Sequence, residues 1–250
     1  MRQLPHHNPA DITGVIGAST TGKGLYVKRR ISSSLPRRPG LTLVWSPLEA
    51  TDRYAALLAA PRVTTLTGLI GQVRATHGAA LAVVYAADLD SAHLEEEFAV
   101  FCQLAYRRAA RVVVEELSYV TTASHAPRPW SKLTTAGSHH QAIEILATAQ
   151  RPTMIDKNFL GSCSQVRCYR LVFEDDAVRM GKILRVPADE LMVLPNRKYF
   201  HRWIHEVRTE QGTEPLPGAR AIAPKVTAHQ VAGEISPKVT RARARGDLLR

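Results

Sequence analysis

Residues 17–24 read Gly-Ala-Ser-Thr-Thr-Gly-Lys-Gly, a spacing suited to one kind of chemistry. Gly17 and Gly22 let the backbone N–H groups of Ala18, Ser19, Thr20 and Thr21 converge on an anion, and Lys23 can reach the outer phosphates of a triphosphate. The apolar run at 12–16 reads as a strand, and residues 25–31, beginning at Leu25, read as a helix whose N-terminus adds partial positive charge. Strand, glycine loop and helix in that order make a phosphate cradle. The residue after such a lysine ordinarily offers a hydroxyl to Mg²⁺, but here it is Gly24. Thr20, Thr21, water or ligands elsewhere in the chain must then serve the metal.

A second chemical element is Arg111-Val112-Val113-Val114-Glu115-Glu116, a short apolar strand ending in two carboxylates. The tip of a parallel strand is partly desolvated, so paired acids are costly there unless they are used. In P-loop ATPases the first acid at this tip orients Mg²⁺ and the second polarises the attacking water. A strand that simply leaves into solvent is the plainer reading; the loop at 17–24 favours the functional one. A third element is the strand at 143–148, followed by Ala149-Gln150-Arg151-Pro152. An amide at the tip of the strand beside the acid-bearing one would contact the attacking water or the terminal phosphate, which makes Gln150 a sensor. A turn-forming Gln ahead of Pro152 is the alternative.

Elements that could position these groups alternate along the chain. Residues 41–45 read as a strand and 81–86 as a buried one, 52–60 and 66–77 as helices, and 63–66 as a further short strand. Between residues 91 and 109, Leu94, Phe98, Phe101, Cys102 and Ala105 recur at spacings of three and four, which predicts an amphipathic helix on a sheet. Residues 177–184 and 188–194 read as helices and 199–204 as the last strand. Strands alternating with helices of this length predict an α/β fold with a mainly parallel central sheet and helices on both faces. Residues 117–140 read as a polar connection in which Arg128, Trp130 and Lys132 would touch phosphates without reading sequence, or serve as an ordinary surface loop.

Composition limits the partners. The 250 residues carry 33 Lys and Arg against 22 Asp and Glu, a net charge of +11 that favours phosphate-bearing partners. Three cysteines, Cys102, Cys163 and Cys168, are too few for a disulfide framework or a zinc cage and read as reduced core residues. No apolar run approaches the roughly 18 to 20 residues a membrane span requires. The His6-His7 pair reads as a solvated leader, and His139-His140 as packing or surface residues. Residues 211–250 contain four prolines and seven Lys or Arg against three acids, with Arg241, Arg243 and Arg245 near the end. Such a stretch buries too little to offset its ordering entropy. Residues 1–209 therefore read as one domain and 210–250 as a basic, Pro-containing tail.

Taken together, residues 17–23, the strand ending Glu115-Glu116, and above all Ala147-Thr148-Ala149-Gln150-Arg151-Pro152 followed by Ile155-Asp156-Lys157 resemble the HerA/FtsK superfamily of ATP-driven DNA pumps. Within it the chain is similar to the genome-packaging ATPases of membrane-containing double-jelly-roll phages and archaeal viruses. The resemblance spans residues 12–205 and implies a RecA-like (ASCE) P-loop core, ATP and Mg²⁺ as cofactors, a homo-hexameric ring and double-stranded DNA threading its pore. It further implies that Lys23 binds phosphate, Glu115 supports Mg²⁺ directly or through water, Glu116 is the general base and Gln150 the sensor. Members also use an arginine from the neighbouring subunit, for which Arg170 is favoured over Arg179. Gly24, and Ser138 where many members carry arginine, depart from the pattern.

The function expected on this resemblance is packaging of a viral genome into a preformed capsid, at the virion vertex or in the host cytoplasm, with capsid or membrane vertex proteins as partners. A phage-export or conjugation motor of the same superfamily is the second reading. A P-loop kinase-like phosphotransferase and a non-hydrolysing ATP-binding protein are further alternatives.

Overall fold

The computed structural model describes residues 11–34, 40–75, 81–137 and 143–216. The expectations placed on His6, His7, Ser138, His139, His140 and the chain beyond 216 lie outside these residues. A nine-stranded sheet runs through the described part in the order β3-β4-β2-β5-β6-β1-β7-β8-β9. Its central members are β1 (Ile12–Ile16), β2 (Leu41–Trp45), β4 (Leu81–Tyr85), β5 (Arg111–Val114), β6 (Ile145–Ala149) and β7 (Gln165–Cys168), with the short β3 (Arg62–Val63) at one edge. All of these pair in parallel, and β8 (Lys198–Trp203) and β9 (Arg208–Thr213) complete the other edge antiparallel. The expected α/β class, with a mainly parallel sheet, is the one observed.

Strand β6 is inserted between β1 and β5, in the registers Ile16↔Ala149 and Val114↔Ala147. The carboxyl ends of β1, β5 and β6 therefore lie side by side along one edge of the sheet. In open parallel sheets that edge is where ligands bind.

Both faces of the sheet are covered, and successive residues of each central strand divide between them. Val112 and Val114, with Ile145, Ala147, Leu43 and Trp45, face a large core built with α4 (Leu66–Ala75), α5 (Leu94–Arg107), α7 (Lys157–Ser162) and α8 (Glu174–Leu184). Val113, Leu146, Val44 and Val84 face a smaller one, closed by Tyr26, Val27 and Ile31 of α1 (Lys23–Ser34) and by Tyr54. The predicted 3–4 spacing on α5 is borne out: Phe98, Phe101, Cys102 and Ala105 are its buried residues. Trp45 stacks on Tyr85 at 5.2 Å and meets Phe98 and Phe101 edge-on at 5.0 and 5.5 Å. A fully buried side chain of this kind contributes about 1.5–3 kcal/mol.

Three expectations change. The helix read at 52–60 is two short ones, α2 (Glu49–Asp52) and α3 (Tyr54–Leu58), because Arg53 adopts a left-handed conformation (φ 56°) that no continuous helix accommodates. Trp130 does not lie on a polar loop: it sits on α6 (Arg128–Lys132), fully buried between Phe98 and Phe159, with ring centroids at 5.6 and 5.5 Å. The expected boundary at 209/210 falls inside β9, and Glu214 beyond that strand is completely buried.

At the antiparallel edge His201 is buried with both ring nitrogens engaged. Arg167 Nε donates to Nδ1 at 3.1 Å, and Nε2 pairs with the Gln165 amide oxygen at 3.2 Å, an arrangement that fits the neutral ring with its proton on Nε2. Burial, reinforced by Arg167, Arg30 and Arg208, pushes its pKa down to about 2. A folded value below the unfolded one of about 6.5 means that the unfolded chain binds the proton first, so this contribution is whole above pH 6.5 and lost below it. The loss is about 1.4 kcal/mol per pH unit, so near 2 kcal/mol should disappear between pH 7 and pH 5. Urea unfolding of the wild type and His201→Asn at both pH values checks this: the difference in pH dependence between them should carry that loss, and parallel curves would refute it.

Candidate nucleotide-binding and hydrolysis site

The loop after β1 is threaded between the ends of its two neighbours. Gly17 N–H donates to the Ala149 carbonyl at 3.1 Å and Ala18 N–H to the Arg170 carbonyl at 2.9 Å, which ties the turn to β6 and to the chain after β7. Glycine is required at the first position, where φ is 154° and a Cβ would stand 2.7 Å from Tyr169 Cβ. Gly22 (φ 121°) lies against the Tyr169 ring and the Arg197 backbone, and Arg197 N–H donates to the Thr21 carbonyl at 3.0 Å. Ser19 and Thr20 are exposed at the turn, with Thr20 also left-handed at φ 61°. Lys23 opens α1, whose first turn carries no acidic side chain to oppose an anion. Gly24 and Leu25 follow on the first turn, each partly exposed. A Cβ on Gly24 would meet only Lys28 Nζ, at 4.0 Å, so packing does not impose the missing hydroxyl.

Lys23 Nζ donates to the carbonyls of Gly17 at 2.7 Å and Ala18 at 3.0 Å, folding the side chain over its own loop. Burial lowers its pKa, opposed by the negative charges of Glu116, Glu115 and Asp52. The ammonium and the acids from β5 thus share one electrostatic neighbourhood.

The two acids are held quite differently. Glu115 continues the ladder of β5, its N–H donating to the Trp45 carbonyl at 2.9 Å. Its carboxylate accepts from the Thr148 hydroxyl at 2.6 Å and from the Tyr54 hydroxyl. Burial raises its pKa, and those two hydrogen bonds counter the rise. Glu116 leaves the strand in a left-handed conformation, φ 52°, which is strained for a residue with a side chain. Its N–H donates to Thr148 Oγ1 at 2.8 Å, and its Oε1 accepts from Gln150 N–H at 3.0 Å and from Ser118 Oγ at 2.7 Å. Thr148 therefore sits between the acids, donating to one carboxylate and accepting from the backbone of the other.

Gly17 to Lys23, Glu115, Glu116 and Gln150 are thus brought to one edge from three strand ends. Gln150 meets Glu116 through its backbone N–H. Thr21 behaves otherwise than expected of a metal ligand: its hydroxyl is buried and donates to the Ala18 carbonyl at 2.8 Å, inside the loop. Arg170 lies two residues past β7, with its carbonyl on the loop and its side chain exposed. Arg151 pairs with Asp176 and Asp175 of α8 and stacks on the Phe173 ring at 3.7 Å, which clamps the turn that carries Gln150.

Sequence reasoning gives Thr148 no role of its own, and it misses Tyr54 and Ser118 altogether. A threonine between alanines at a buried strand tip is a readable signal. Nothing local marks Tyr54, which comes from the β2–β3 connection, 61 residues before its partner.

The arrangement fits a nucleoside triphosphate: a glycine turn too crowded for side chains, a helix N-terminus and a lysine, although the Ala18 N–H expected to face the anion is taken by the Arg170 carbonyl. Among the described residues no three His, Cys, Asp or Glu side chains group closely enough to cage a metal ion. Glu115 and Glu116 suit Mg²⁺ nonetheless, because that ion takes one or two carboxylates and draws its other ligands from phosphates and water.

The fold is that of the P-loop ATPases, as the resemblance implied. The chain matches the genome packaging NTPase B204 of Sulfolobus turreted icosahedral virus 2, solved with AMPPCP, with a TM-score of 0.65 at 13% identity, over 84% of this chain and 100% of that one. It matches VirB4 of Thermoanaerobacter pseudethanolicus with a TM-score of 0.62 at 8% identity, over 82% and 90% of the two chains. The pCW3 conjugation coupling protein TcpA follows with a TM-score of 0.53 at 12% identity, over 82% of this chain and 60% of that one. No protein-family model and no curated protein sequence matches the chain.

Proposed function

We propose that this protein is an ATP-driven double-stranded DNA translocase that packages a viral genome. The observation that carries the reading is the convergence of Lys23, Glu115, Glu116 and the Gln150 backbone from three adjacent strand ends, with Thr148 bridging the acids. In this reading Ser19 to Thr21 and Lys23 to Leu25 hold the phosphates, and Glu115 supports Mg²⁺. Glu116 takes the proton of the attacking water. Gln150 reports the terminal phosphate through a turn rigidified by Arg151 and Asp176. Arg170, exposed beside the loop, serves the site of the next subunit in a homo-hexameric ring. The match over the whole of B204 and the net charge of +11 favour DNA packaging over small-molecule phosphotransfer. The protein would act at a virion vertex or in the host cytoplasm, against capsid or membrane vertex proteins, with the basic residues past 216 as a tail. Among the described residues no helix is long and apolar enough to cross a membrane.

A conjugation or export motor is the second reading, favoured by the 90% coverage of VirB4. Phosphate release in Mg²⁺ and ATP, with and without duplex DNA, tests the motor reading. Duplex DNA should raise the rate several-fold at 50 mM salt, with the effect fading as salt rises. A rate indifferent to DNA at every salt, or a particle that stays monomeric with ATP, would overturn it.

A further inference from the structure

α5 runs from the carboxyl edge of the sheet, where it follows β4, to the opposite edge, where Arg107 precedes β5. There α6 packs beside it, and the two helices enclose a cleft of about 440 Å³ lined by Gln103, Tyr106, Arg107, Arg128, Pro129 and Lys132. Lys132 Nζ lies over the Tyr106 ring at 4.2 Å from its centroid. Arg107, Arg128 and Lys132 are exposed, and no ion pair among the described residues involves any of them. Arg29, Arg30, Arg111, Arg151, Arg167 and Arg208 each meet a carboxylate, whereas the cleft gathers three exposed cations on one concavity with no acid in its lining. Three like charges converging on one concavity without an acid repel one another, a cost that an anionic ligand removes.

We infer that this cleft is a second anion site, distant from the phosphate loop, that grips the phosphodiester backbone of duplex DNA; the inference rests on the DNA-motor reading above. The donors suit that ligand. Two guanidinium forks match phosphate oxygens in bidentate fashion, and an ammonium held on an aromatic face adds charge without demanding a base. A membrane surface would instead need apolar side chains to insert, and no exposed large aliphatic or Phe side chain lines the cleft. The site replaces the expected contact through Trp130, which is buried, and recruits Arg107 and Tyr106 in its place. Contacts of this type are indifferent to sequence and independent of the nucleotide, so the cleft holds the duplex while the distant pocket turns over.

The test is duplex DNA binding by the full chain without nucleotide, between 50 and 200 mM salt. The variant is R107Q/R128Q/K132Q, whose fold is checked by its thermal midpoint. Each phosphate that is no longer neutralised lowers the slope of log K against log salt by about 0.9, so the slope should fall by about two to three and the affinity near 0.1 M salt by on the order of a hundredfold. Equal slope and affinity in a folded variant would overturn the cleft assignment while leaving the motor reading intact. Failure of the wild type to bind duplex DNA at all would overturn both. Wild-type binding to vesicles rich in phosphatidylserine that the variant loses, with DNA binding unchanged, would assign the cleft to a membrane and overturn the proposal. Competition by tripolyphosphate as effective as competition by duplex DNA, at equal phosphate concentration, would reduce it to a free-anion site and overturn the backbone assignment.

Discussion

Glu116→Gln is expected to bind ATP like the wild type and to hydrolyse it about 10²- to 10⁴-fold more slowly, the range supplied by a positioned general base. The substitution is nearly isosteric, and an amide oxygen can still accept from Gln150 N–H and Ser118 Oγ, so the loop geometry and the left-handed turn at residue 116 should survive. What disappears is the capacity to take a proton from water. Single-turnover phosphate release, with equilibrium binding of a fluorescent ATP analogue measured alongside, separates the two effects. An unchanged rate would remove Glu116 from the chemistry. Lost binding would show instead that its charge is needed to hold the metal.

The largest effect on stability is expected at a residue outside every motif. Glu214 is fully buried, pairs with Arg167 and Arg29 at 2.8 Å each, and accepts from the Tyr169 hydroxyl at 3.2 Å. Arg167 is itself buried between the rings of Tyr26 and Tyr199, with centroids at 3.9 and 3.7 Å. Glu214→Ala leaves that guanidinium without its counter-charge, a change that typically costs about 3–5 kcal/mol. For a domain of this size the thermal midpoint should fall by roughly 6 to 20 °C. Replacing both partners with apolar residues should restore part of the loss, since the penalty belongs to the orphaned charge rather than to the missing pair. A Glu214→Ala midpoint within about 2 °C of wild type would show that Arg167 finds another partner. The Glu214 main chain, which the substitution leaves in place, donates its N–H to the Arg197 carbonyl at 2.8 Å and accepts from Arg197 Nη1 at 3.3 Å, so the Arg197 N–H that holds the Thr21 carbonyl should keep its place.

Much of this protein can be read residue by residue. The runs at 12–16, 41–45, 81–85 and 112–114 are strands because each is wholly or mostly apolar and covered on both faces, and α5 declares itself by its 3–4 spacing. Strand β9 carries no such signal. Arg-Thr-Glu-Gln-Gly-Thr has no large apolar side chain, and it joins the sheet through its ladder to β8 and through the Thr209 hydroxyl, which accepts from Arg202 at 2.9 Å and donates to the Leu184 carbonyl at 2.8 Å, rather than through an apolar face. Trp130 misleads for the converse reason, an aromatic core residue set among Pro, Arg, Ser and Lys. Arg53 looks helical because its sequence neighbours are, and only its backbone shows the break.

The chemistry on offer is already written in short segments, because a glycine turn before a lysine and two acids after a valine run act through their own backbone and charge. Who meets whom is settled only on folding. Inserting β6 between β1 and β5 sets Thr148 between Glu115 and Glu116, and the kink at Arg53 carries Tyr54 onto Glu115. Such contacts join residues tens of positions apart, and they arise from strand order and burial, which no window of neighbouring residues contains.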